Sequence, residues 1–255
     1  MTKQYQTRSQ LKNAAKDKLM GHYGGAVLIT FLSTLIPSVV SFFISQISVM
    51  TKLALPGLSA QGNSIFVSVV FFLISLAVSA VLGVMQLGLT LFFLNLACGQ
   101  PASAGNLFYG FRTHSNKALA VSSVLVLLNT LCMTPYQELS VRYLSTLDTK
   151  WLTYTLAAAV IGMVVYVPLS LSLSMVFFLM LDFPDKGTKE ILKLSMRIMK
   201  GHKCRLFVLE LSFIPLVCLC LLSFGIGMLW LTPYMNMTMA MFFLDLMKPE
   251  KEVTA

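Results

Sequence analysis

Residues 24–48 read GGAVLITFLSTLIPSVVSFFISQIS, a run without a single charged side chain. At about 1.5 Å per residue, a helix of this length reaches past the roughly 30 Å of a bilayer's hydrocarbon core. A secretory leader has a shorter apolar region and a small-x-small cleavage site. This run has neither, so it is expected to remain as a membrane span.

The same reading extends outward along the chain. Further apolar blocks lie within 64–97, 118–134, 151–181 and 206–247. The last is about twice the length of one span, which predicts a helical hairpin bending near Gly225, Gly227 and Pro233. Of the 255 residues, 56% are hydrophobic and 11% charged, and the mean hydropathy is +0.78. A soluble domain carries about 25% charged residues. The expected fold class is therefore all-α: a polytopic transmembrane helical bundle of about six spans. The chain reads as one integral membrane domain, 1–255. It divides into a basic lead at 1–23, four spans in 24–181, an amphipathic segment at 182–205, the hairpin at 206–247 and a tail at 248–255. No connecting segment is long enough to fold as a soluble domain.

Block 64–97 would reach roughly 50 Å as one helix. It must tilt, kink near Gly83 or Gly88, or protrude beyond the membrane. Ser75, Ser79 and Gly83 form a stripe of small residues that lets a neighbouring helix come close. Pro37, Pro168 and Pro215 lie inside apolar blocks, where each removes a backbone donor and bends its helix.

The net charge is +9. With six spans, sixteen Lys and Arg fall on one side of the membrane and only Lys52, Arg142 and Lys150 on the other. This asymmetry places both termini in the cytoplasm. The expected partners of such a surface are anionic lipid headgroups, with membrane proteins or a second copy beside them, and not nucleic acid. Five cysteines, Cys98, Cys132, Cys204, Cys218 and Cys220, include no CxxC pair and read as small buried hydrophobes.

Two basic leads share a design. In DFPDKGTKEILKLSMRIMKGHK, Thr188 is placed to cap a helix. Lys189, Lys193, Arg197 and Lys200 recur on one face, Ile191, Leu194, Ile198 and Met199 fall largely on another, and Gly201 ends the helix. In LKNAAKDKLMGHY, Leu11, Ala15 and Leu19 recur every fourth residue while Lys12 and Lys16 face elsewhere. Both leads end in Gly-His, at 21–22 and 201–202, and both run into a span. They read as basic amphipathic surface helices ahead of the first and fifth spans, turning Lys12, Lys16, Lys189, Lys193, Arg197, Lys200, Lys203 and Arg205 to the headgroups. Because both precede spans leaving the same side, any internal repeat is parallel.

Sites of chemistry are sparse. His22, His114 and His202 stand at no metal-ligand spacing, and the sequence has no HExxH, P-loop, GxGxxG or GxSxG motif. Neither catalytic residues, cofactor nor metal is expected, and an intramembrane enzyme has no motif to support it. Met235, Met237, Met239 and Met241 alternate at a spacing of two, which cannot converge on a helix. The sharpest polar residue is Glu210, a carboxylate inside an apolar segment. It lies about 7–8 Å beyond Arg205 along the helix axis, near the inner interface. An anchoring role, an interhelical hydrogen bond or a lysine partner is expected for it. Asp182 and Asp185 flank Pro184 at a turn, and His202 completes the polar candidates.

The motifs LDFPD, MKGHKCRLF, LELSF, GIG and PY, from Leu181 to Tyr234, succeed one another at the spacings of the bacterial membrane family called domain of unknown function 975. LKNAAKDKLMGHY and LFYGFR resemble its pattern as well, so the resemblance covers most of the chain. It implies a multi-span plasma-membrane protein typical of Gram-positive bacteria such as the Firmicutes. No agreed activity comes with it, so no catalytic residue is carried over. Pro215 departs from the family, which often has a tryptophan near that point. The expected function is a non-enzymatic membrane protein acting through lipid or partner-protein contacts in envelope maintenance, stress or protection. The alternative is a small transporter or permease with Glu210 as a proton- or ion-linked residue.

Overall fold

A computed structural model describes residues 5–54, 63–113 and 115–248, apart from the side chains at 48, 49, 51–54 and 63–68. Lys3, His114, Lys251 and the Lys52 side chain therefore lie outside the described residues. Among those described, every regular element is helical, as a chain in hydrocarbon requires when only its own backbone can satisfy its polar groups. The helices are α1 Arg8–Leu19, α2 Tyr23–Ala54, α3 Asn63–Gly83, α4 Met85–Cys98, α5 Tyr109–Arg112, α6 Ser115–Thr146 and α7 Thr149–Leu173. They continue with α8 Val176–Asp182, α9 Thr188–Ile198, α10 Lys203–Leu211, α11 Ile214–Leu222 and α12 Met228–Met247, and a 3-10 turn at Ala104–Phe108 precedes α5.

Five stretches among the described residues are long and apolar enough to cross a membrane: Tyr23–Ile47, Val69–Cys98, Ser115–Thr146, Thr149–Asp182 and Lys203–Leu222. The hairpin over 206–247 is present, but its second arm, α12, is not among the five. Thr232, Tyr234, Asn236, Thr238 and Asp245 dilute its hydropathy, and much of it is buried in protein. Its course still returns the chain. The Gln6 amide donates to the Asp245 carboxylate, so both ends of the described chain meet at one end of the bundle. The hairpin bends at Gly225, whose φ of +82° suits glycine. Pro233, expected at that bend, instead sits inside α12.

The long second block does kink, at Val84 between α3 and α4. Gly83 there packs against α6, where an added Cβ would lie 3.0 Å from that of Ser122. Below the kink, α4 is pressed by the returning loop. A Cβ on Gly88 would stand 2.2 Å from the Leu107 carbonyl oxygen and 2.4 Å from that of Asn106. Pro37, Pro135 and Pro168 are accommodated within their helices, whereas Pro215 opens α11 after a break at Ser212 and Phe213.

Burial divides the bundle into two tiers. At the basic end, α1, α4, α8, α9 and α12 enclose a dense core that includes Phe93, Leu107, Leu179, Ile191, Met237 and Phe242. At the far end, large apolar side chains such as Phe43, Leu131, Val164 and Leu222 face outward, as lipid-facing positions should. The two leads contribute their apolar stripes to the dense tier: Leu11, Ala15 and Leu19 of α1, and Ile191, Ser195 and Met199 of α9, are all buried. The Ser195 hydroxyl donates to the Ser172 carbonyl at 2.8 Å, pinning α9 to α7. The leads were expected to lie on the membrane. Their apolar sides instead rest on protein, because α12 and α8 present matching surfaces.

The parallel echo of the leads is one part of a threefold pattern. The N-cap of α9 is Gly187, one residue before the expected Thr188, and that of α1 is Thr7. Gly21 and Gly201 both take left-handed φ, +83° and +88°. The His22 amide donates to Leu19 at 3.0 Å and the His202 amide to Met199 at 3.1 Å. In the sequence, His22, His114 and His202 each precede an outgoing helix. Four residues on come Ala26, Ala118 and Leu206, and seven residues on Ile29, Val121 and Leu209, all buried. Each returning helix then carries Phe-Phe-Leu, at 92–94, 177–179 and 242–244, with a helix interrupter nine residues earlier: Gly83, Pro168 and Pro233. α4 packs against both α8 and α12, and the Phe178 and Phe243 rings stack at 5.0 Å. The dense tier is thus where three equivalent returning segments meet.

Candidate functional site

The polar centre of the molecule lies where the N-terminal segment, α10 and α12 converge. Asp245 sits near the end of α12 with its side chain only 2% exposed. The Arg205 guanidinium, on the first turn of α10, donates through Nη2 to the Asp245 carboxylate and to the Gln6 carbonyl, the latter at 2.8 Å. The Gln6 amide donates back to both carboxylate oxygens at 3.2 and 3.3 Å, and Lys248 Nζ stands 3.5 Å from Oδ1. The guanidinium is held between the Tyr5 and Phe242 rings, 4.9 Å from each centroid. Tyr5 in turn meets the His202 ring edge-on at 4.6 Å. The fixed cation and the backbone donors around this carboxylate offset the cost of its burial. Arg205 Nη1 is buried and has no hydrogen-bond partner among the described residues.

Lys12 makes a second tie. Its amine donates to the Ser212 carbonyl at 3.0 Å, at the α10–α11 break, and lies 4.1 Å over the Phe213 ring. The Tyr234 hydroxyl donates to the Lys12 carbonyl at 3.4 Å. Burial first, then the neighbouring charge of Arg8, lower the Lys12 pKa from the ordinary 10.5.

Of the eight basic residues expected to face headgroups, Lys16, Lys189, Lys193, Arg197 and Lys200 are exposed and Lys203 is half-buried. Arg205 and Lys12 turn into the protein, each finding a backbone carbonyl and an aromatic face there. Glu210, on α10, is exposed and makes no ion pair among the described residues. Asp182 and Asp185 are exposed around the α8–α9 turn, which Lys117 secures by donating to the Pro184 carbonyl at 2.6 Å. Sequence reasoning singled out Glu210 and passed over Asp245. The signal for Asp245 was present as an acid at the end of an apolar run, the third position after the first Phe of the last Phe-Phe-Leu.

A cleft of about 650 Å³ opens between the end of α1, the start of α2 and the end of α4. Asp17, Lys18, His22, Gly25, Phe92 and Gln100 line it among others. Among the described residues, no three His, Cys, Asp or Glu side chains gather as a metal site would need.

No curated protein and no solved structure matches the chain. A family model does: the one described as Protein of unknown function (DUF975) aligns with residues 1–250. With nearly the whole length matched, the chain belongs to that family.

Proposed function

We propose that the protein is a non-enzymatic membrane protein whose basic end holds anionic lipid and partner proteins at the cytoplasmic face of a bacterial plasma membrane. This suits a role in envelope maintenance, stress or protection. The partner proteins are other membrane proteins or further copies of the chain. The observation that supports this is the outer face of α9. Lys189, Lys193, Arg197 and Lys200 are exposed, while Ile191, Ser195 and Met199 are sunk in protein. The row of charges is held on a helix docked to the bundle, so its order does not depend on the helix first finding a membrane. Each such cation near an anionic surface contributes about 1 kcal/mol, so four together favour anionic lipid by up to ~10³-fold.

The test is lipid retention through detergent purification, read by native mass spectrometry. Wild-type protein is expected to keep anionic over zwitterionic phospholipid, in a manner that weakens with salt. The variant with all four residues changed to Gln is expected to lose that preference at unchanged melting temperature, since the side chains are exposed. Equal retention by both proteins would refute the reading.

A further inference from the structure

The outgoing helices differ in reach. α2 and α6 each run for 32 residues, about 48 Å of helix. The third outgoing stretch, Lys203–Leu222, has 20. From Leu206, the first residue past Arg205, to Leu222 it rises about 25 Å. A hydrocarbon core is about 30 Å deep, so the turn that follows, 223–227, lies short of the far surface. Its composition agrees, since no charged side chain occurs from 211 to 244. The turn between α6 and α7 is built differently, for water. Asp148 caps α7 by accepting from the Lys150 amide at 3.0 Å, and the Arg142 guanidinium lies 5.3 Å over the Trp151 ring.

The third turn keeps its polar groups to itself. Every backbone N–H from Ser223 to Leu231 has a partner within 220–231. The Ser223 hydroxyl accepts from the Gly227 amide at 3.1 Å and donates to the Cys220 carbonyl at 2.8 Å. Phe224 takes a left-handed φ of +52°, unfavourable for a bulky residue, and is 98% exposed. Leu222 and Ile226 are exposed beside it. In water these three would form an apolar cap on a strained backbone. We propose that the turn is a re-entrant tip, ending inside the bilayer with Phe224, Leu222 and Ile226 among the acyl chains of the far leaflet. Irregular backbone is excluded from hydrocarbon chiefly by unsatisfied polar groups, and this turn leaves no N–H free. The hairpin is shorter than the core, so the far leaflet thins over it, while both its arms still begin and end at the basic side. The partner is lipid hydrocarbon, and the α9 face plays no part.

The test uses the full chain in nanodiscs holding one copy each, so that both membrane faces are open to reagent and no second copy can cover the tip. A sulfonated maleimide is added to Phe224→Cys, Ile226→Cys and Ser145→Cys, and peptide mass spectrometry assigns the label to each cysteine. Ser145→Cys, on the charged α6–α7 turn, sets the reference rate. The tip cysteines are expected to react at less than about a tenth of it, because the reacting thiolate needs water, and to react freely once detergent and denaturant release the chain. Phe224→Asp gives a second reading through the sign of its effect. Aspartate adopts the left-handed region more readily than phenylalanine, so a tip in water would gain stability. In hydrocarbon the carboxylate costs more than the strain it relieves, and a lower melting temperature in nanodiscs is expected. Labelling of either tip cysteine above about a tenth of the reference rate, or a melting temperature for Phe224→Asp equal to or above that of wild type, would overturn the proposal.

Discussion

Replacing Arg205 with Met should be the most damaging single change among the charged residues. Met keeps the apolar stem between Tyr5 and Phe242 and removes the charge. The Asp245 carboxylate, 2% exposed, is then left with the Gln6 amide and the more solvated Lys248, whose side chain is 55% exposed. Removing one partner of a buried ion pair costs about 3–5 kcal/mol, chiefly through the charge left behind. For a chain of this size that corresponds to a melting temperature lower by roughly 6–20 °C. If the damage comes from the stranded charge, a second change that removes it should restore stability. Arg205→Met with Asp245→Leu is expected to recover most of the loss, giving a coupling energy of about 2 kcal/mol or more in the double-mutant cycle. Thermal unfolding of the four proteins in detergent gives the midpoints needed. A single mutant within about 1 kcal/mol of wild type, or a double mutant no better than the single, would refute the reasoning.

Gly88→Ala should fail to give folded protein, because its Cβ would fall 2.2 Å from the Leu107 carbonyl oxygen, an overpacking against backbone expected to cost about 3 kcal/mol or more. Gly24→Ala, with nothing within 4 Å, is the matched control, and equal yields of the two measured by size-exclusion chromatography would contradict this. Lys12 predicts a pH dependence. Its folded pKa is below 10.5, so between the lowered value and 10.5 the unfolded chain binds more protons and stability rises with pH. Below that window the penalty for holding the charge is fully present. Melting temperature measured across the alkaline range should therefore rise in wild type relative to Lys12→Gln, and identical profiles would remove Lys12 from the account.

Much of the fold is legible in the sequence because the relevant signals are local. Apolar runs mark spans, Gly21 and Gly201 mark helix ends, and a block too long for one pass marks the kink found at Val84. The site is less legible because its partners are distant in the chain: Gln6 and Asp245 are 239 residues apart. Counting charges by loop assigns Arg205 and Lys12 correctly to one end of the bundle but says nothing of which way each side chain turns. That depends on where Asp245 and Ser212 arrive once α10, α11 and α12 have packed. The threefold register stays hidden behind the leads. The middle lead has no glycine before His114, so only two copies are evident there, while the returning helices carry all three Phe-Phe-Leu segments.

The tie between Gln6 and Asp245 also has a temporal meaning. Helix α1 is completed by a helix made long after it, since the stripe of Leu11, Ala15 and Leu19 rests largely on α12. Until α12 arrives, that stripe lacks its principal cover. A chain cut short before α12 would leave those three residues on view at the basic end, a mark by which a protease could tell an unfinished protein from a finished one.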